Sequence, residues 1–172
     1  MPVFSAATCH RAPVLIAVLM SLAPAGAACA AEAARVAVAD IGFTDSSGEA
    51  RDQSRDHEAR RLSLTREVRA DIARAASLDM LALPCEGACR LDAEGVETLR
   101  QRARQAGAGF LLVGSVHKMS TLVLSMRVAV LDAANGKLVF ERLLSFRGDN
   151  DEGWRHAGAY VAREVAEQLP PR

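Results

Sequence analysis

Apolar and polar positions change period several times along the chain, and each change marks an element. Arg35–Phe43 (RVAVADIGF) alternates small and branched apolar residues before a polar stretch, which predicts a first strand. Thr44–Arg55 is rich in Ser, Asp and Gly and reads as a loop. Leu64, Val68, Ile72 and Ala75 then recur at helical spacing among arginines and acids, predicting an amphipathic helix from His57 to Ala76. Leu78–Leu83 is a short apolar run before Pro84 and predicts a second strand. Asp92 is placed to cap a second helix with Val96, Leu99, Ala103 and Ala106 on its buried stripe, and Gly107 stops it.

The last third reads as a hairpin and a helix. Phe110–His117 is a continuous apolar run, fitting a buried strand. Thr121–Leu131 alternates with Leu122, Leu124, Met126, Val128 and Val130 on one face. Asp132 to Gly136 carries the Asn-Gly signal of a tight turn, and Lys137–Arg147 returns with Leu138, Phe140, Leu144 and Phe146 on one face. After Gly148-Asp149-Asn150 a third helix carries Trp154, Ala157, Val161 and Val165 inward. The expected fold is therefore mixed α/β of the α+β kind. Its order is β-α-β-α-β-β-β-α, in one domain over residues 31–172, with a mixed five-stranded sheet packed by helices.

The first thirty residues do not belong to that pattern. Ala12–Leu22 is an apolar run of signal-peptide length, Pro24 and Gly26 break it, and Ala28-Cys29-Ala30 offers a small-x-small cleavage pattern. The reading is a signal peptide over 1–30 cut after Ala30, and hence a periplasmic protein. Lipidation of Cys29 and retention of the segment as an anchor are the competing readings; against the first, Gly26 stands where a lipobox wants a leucine-like residue. Export leaves Cys85 and Cys89 as an even pair, read first as a disulfide. The C-x-x-x-C spacing departs from the redox motif, and no second ligand pair accompanies it to complete a zinc site.

Composition narrows the function classes. The 172 residues carry 21 basic and 21 acidic side chains, a balance that argues against a nucleic-acid or anionic-lipid binder. No Gly-rich phosphate loop, nucleophile elbow or zinc-protease helix is present, so no catalytic, cofactor-binding or metal-binding residue is assigned. His57, His117 and His156 show no spacing that would bring two of them onto one carboxylate, and are read as solvent-exposed or strand-edge. Arg55, Arg60, Arg61, Arg66 and Arg69, interleaved with acids, read as a solvated helix face. Asp149, Asp151 and Glu152 read as capping acids, and Asp40, Asp45 and Glu49 as a polar loop at a strand end.

Two stretches carry a resemblance. RVAVADIGFTDSSGE near the start, and the run from Gly107 to Val161 with VGSVHKMS, D-x-x-N-G-K and RGDNDEGWRHA in order, resemble a family of secreted proteobacterial proteins known as a domain of unknown function. The strand-and-hairpin pattern is also similar to the amino-terminal domain of TolB and related envelope proteins. The resemblance implies a small envelope domain used for protein contacts, without catalytic residues. The expected function is a non-enzymatic periplasmic accessory or interaction module with an envelope protein as partner. Its candidate surface is Asp40, Asp45, His117, Lys118 and Trp154. The alternative is a small-molecule or ion-binding accessory of a periplasmic oxidation system, with Asp40, Asp45 and His117 lining the pocket.

Overall fold

The structure, a computed structural model, describes residues 33–87 and 89–169. The expected signal peptide and its cleavage position lie outside these residues. Among the described residues no helix is long and apolar enough to cross a membrane. The elements run β1 (Ala34–Ala39), β2 (Gly42–Asp45), α1 (Ser54–Ala73), β3 (Leu78–Leu83), α2 (Ala93–Gln105), β4 (Phe110–Lys118), β5 (Val123–Asp132), β6 (Leu138–Arg147) and α3 (Asp151–Gln168).

One mixed sheet has the order β3-β1-β4-β5-β6, with β2 also on β4. β1 runs parallel to both β3 and β4, and β4-β5-β6 is an antiparallel meander. The expected first strand is therefore present as two pieces, which raises the strand number from five to six. Val36 pairs with Phe110, but Gly42 pairs with Ser115, so one extra residue sits between the pieces. Backbone groups freed there are met by α1: Ile41 N–H donates to Thr65 Oγ1 at 3.1 Å, and Arg61 donates to the Ile41 carbonyl at 3.2 Å. Arg69 donates to the Val38 carbonyl and, at 2.8 Å, to Asp40. Arg61 and Arg69 are thus tied to the break in the strand, which corrects their reading as a solvated face.

The two sheet faces are covered unequally. α1 and α3 lie on one face, where Leu64, Val68, Ile72, Trp154, Val161 and Val165 meet Val36, Val38, Leu112 and Leu124, Met126, Val128 and Val130 of β5. Gly158 lets the two helices approach, since a Cβ there would stand 2.7 Å from Leu64. On the other face α2 packs Leu99 and Ala103 against Ala37, Ala39, Leu111 and Val113. Asp92 caps α2 by accepting from the Gly95 N–H, and Gly107 takes a positive φ at its end, as the sequence predicts.

β6 differs from expectation at one residue, with a consequence for the surface. Val130 pairs with Phe140 but Leu131 pairs with Leu138, so Val139 is the extra residue of a bulge. The bulge turns Leu138 away from the face of Phe140 and leaves it 56% exposed. Leu122, expected on the buried face of β5, precedes the paired strand and is 67% exposed.

Candidate functional site

The carboxyl ends of β2 and β4 and the amino ends of α1 and α3 converge on a buried ion cluster. β4 ends in Lys118, whose neighbours across the sheet are Asp45 on β2 and Leu124 on β5. The strand's alternation points this lysine to the same side as Val116, into the core face, where it has no exposed surface. A buried ammonium needs partners, and Lys118 Nζ has two: Asp149 at 2.8 Å and Glu49 at 2.7 Å.

Asp149 is the hub. Its Oδ2 accepts from Lys118 and from His57 Nε2 at 2.7 Å, and its Oδ1 accepts from Arg60 at 3.1 Å and Trp154 Nε1 at 3.2 Å. Burial alone would raise the Asp149 pKa, but the hydrogen bonds from Lys118 and His57, the His57 charge and the Trp154 N–H outweigh it and hold the carboxyl at about 2. Desolvation likewise pulls Lys118 down, and its bonds to Asp149 and Glu49 raise it above the ordinary lysine value. Because Asp149 is an ionised acceptor, Nε2 of His57 carries the proton of that bond. His57 Nδ1 lies 3.9 Å from Asp45, and Phe43 packs on His57 and Trp154 with centroids 4.6 Å and 5.5 Å away.

Of the residues singled out in the sequence, Asp45, Lys118 and Trp154 meet here, and two do not. Asp40 sits at the break between β1 and β2, accepting from Arg69 and from the Cys85 N–H at 3.0 Å. His117 points to the opposite sheet face from Lys118 and hydrogen-bonds Ser46 Oγ at 2.7 Å. Lys118, expected at a contact surface, is buried and unable to touch a partner directly; Trp154 is buried as its place on the inward stripe of the last helix predicts, and so is not available as a contact residue. Cys85 and Cys89 are joined as a disulfide, with 5.4 Å between their Cα atoms.

Four members of the cluster escaped the sequence reading, among them Glu49, read only as part of a polar loop and found on Lys118. His57 is buried at 3% exposure, not solvent-exposed or at a strand edge. Its seven-residue spacing to Leu64 put it on the buried stripe of α1, and that was the available signal. Asp149 is not a cap: Asn150 accepts from the Gly153 N–H in that role, while Asp151 and Glu152 occupy the first turn of α3. Arg60 bridges Asp149 and Asp151, its side chain only 18% exposed.

A second feature is the open face of the β5–β6 hairpin. α2 stops short of it, so Val139 and Leu143 stand exposed beside Arg127 and Glu141. Of the six exposed large apolar side chains among the described residues, Met119, Leu122, Leu138, Val139 and Leu143 belong to the hairpin or the turn leading into it.

Fold and site define a small mixed α+β domain whose titratable cluster is closed by its own salt bridges and whose hairpin is open. The chain belongs to the DUF3280 family, described as a protein of unknown function (DUF2380), whose profile matches residues 34–165. Among solved structures it is similar to the PelC dodecamer from Paraburkholderia phytofirmans, at TM-score 0.52 and 16% identity over 80% of this chain and 89% of that one. A point variant of the same dodecamer, in a second crystal form, matches at TM-score 0.51 and 17% identity, covering 81% of this chain and 90% of that one. TolB from Acinetobacter baumannii is also similar, at TM-score 0.45 and 15% identity, over 82% of this chain and 30% of TolB. No curated protein matches the chain.

Proposed function

We propose that this domain is a non-enzymatic protein-interaction module of the bacterial envelope, exported to the periplasm, with an envelope or periplasmic protein as its partner. The observation that carries the reading is the concentration of exposed apolar side chains on one hairpin, with Leu143 at 62% and Leu138 at 56% exposure. The state of the ion cluster supports it. A general acid or base must hold or release a proton at a substrate, whereas Asp149 has both oxygens engaged by four protein donors and Lys118 is spent on two carboxylates.

Cross-linking in intact cells, followed by capture and mass spectrometry, tests the reading. One envelope protein recovered in near-equal amount, and lost on Leu143→Asp, is the expected result. Recovery of the protein without any partner overturns it.

A second reading, an ion-binding accessory of a periplasmic oxidation system, is favoured by one observation. An Asp40 oxygen and the sulfurs of Cys85 and Cys89 lie within 4.8 Å of one another. The disulfide and the Arg69 ion pair hold these groups in the oxidised protein. A rise in melting temperature with zinc that requires prior reduction would favour this reading over the first.

A further inference from the structure

We infer that the outer edge of β6 pairs antiparallel with the same edge of a second copy of this chain, about a two-fold axis through Leu144. The inference deepens the interaction-module reading and rests on it.

β6 is the last strand of the sheet order, and its ten residues contain neither proline nor glycine. Gly148 N–H donates to the Leu122 carbonyl, which sets the alternation of the ladder. Phe146, Leu144 and Arg142 direct their backbone groups toward β5, so Arg147, Ser145, Leu143 and Glu141 direct theirs outward. The bulge lies at the far end, next to Leu138, and leaves this stretch regular. Monomeric proteins blunt such an edge with bulges, prolines or inward charges; on β6 the bulge is confined to the Val139 end, and the charge on the helix-covered face, Arg142, is neutralised by Glu164 of α3 at 2.7 Å. Here its centre carries Leu143, one of the most exposed apolar side chains described.

Charge selects both the occupant and the register. Across an antiparallel pair, opposed residues share a face, so a two-fold axis must pass through a residue. With the axis at Leu144, Glu141 lies opposite the partner's Arg147, and Arg147 opposite the partner's Glu141. Leu143 then meets the partner's Ser145, and Arg142 meets the partner's Phe146. An axis at Glu141, Arg142 or Arg147 sets like charges against each other, and an axis at Leu143, Ser145 or Phe146 leaves Glu141 and Arg147 without opposite charges. The strand is complementary to itself in one register, which is the property an isologous interface requires.

Sedimentation velocity on the purified protein over a concentration series tests the pairing, with thermal melting to confirm that each variant folds. A reversible dimer is expected. Glu141→Arg and Arg147→Glu each weaken it about tenfold, by turning two opposed pairs into like charges, and the double reversal restores it. A monomer at every concentration overturns the pairing, as does a dimer indifferent to both reversals. A ring or filament also overturns it, because only a head-to-tail contact between different edges produces one. These outcomes are separable from the broader reading. A monomer that still captures an envelope protein defeats the pairing alone, and a charge-dependent dimer that captures nothing else defeats the envelope-partner reading alone.

Discussion

Where β4 ends, a lysine, a histidine and a carboxylate lie inside the protein; two strands across the same sheet, on the opposite face, a leucine stands in water. The two regions invert the usual distribution of charge and apolar surface. At the ion cluster, burial is tolerated because every charge has partners: Asp149 accepts from four groups and Lys118 reaches two carboxylates. At the hairpin, exposure follows from missing cover, since α2 packs over β1 and β4 and not over β6. The difference teaches that the residues with the richest chemistry are the least available. What the surface offers instead is a strand edge and a row of aliphatic side chains.

The sharpest way to break the comparison is at its hub. Asp149→Ala leaves Lys118 and His57 buried without their shared carboxylate and should cost about 3–5 kcal/mol in urea unfolding. Trp154→Ala removes a buried ring and a donor to Asp149, and belongs in the same range of about 3–5 kcal/mol. Asp151→Ala, next to the hub but with an exposed carboxylate, should leave the unfolding midpoint almost unchanged. If Asp149 and Asp151 behaved alike, the cluster would have no structural role.

Removing the Cys85–Cys89 bond by Cys→Ser at both positions should cost about 2 kcal/mol, because the ring it closes is short. The hub's pH response comes next. A carboxyl whose folded pKa lies below its ordinary 3.8 supplies stability above that value and loses it as pH falls toward about 2. Unfolding midpoints should therefore drop between about pH 4 and pH 2, and Asp149→Asn should lose part of that slope. The smallest effect is expected at the hairpin: Leu143→Ser should change stability by no more than about 0.5 kcal/mol while weakening association. A large loss of stability would mean that Leu143 packs against something and is no docking surface.

Much of the fold was legible in the chain because its signals are local. Asp92 caps a helix through its own third neighbour, Gly107 accepts a positive φ, and the alternation of Leu124 to Val130 selects one face of β5. The order of elements and the buried stripes of α1 and α3 follow from the same short-range periodicities. The candidate site was legible only in fragments. Lys118, Asp45 and Trp154 drew notice as residue types, but their meeting requires β2, β4 and α3 to come together through contacts distant in sequence.

Two tertiary events decided the rest. The extra residue between β1 and β2 exists because Thr65, Arg61 and Arg69 on α1 satisfy the backbone it frees, and no local pattern in RVAVADIGF encodes those partners. The bulge at Val139 exchanges the face of Leu138, a reversal invisible to a period-two reading that assumes unbroken pairing. The sequence by itself determined which segments become helices and strands, since that choice is made within a few residues by periodicity, caps and turns. Only the tertiary structure decided which charges are buried and which leucines face water, because burial depends on what other elements lie above a residue, not on its neighbours along the chain.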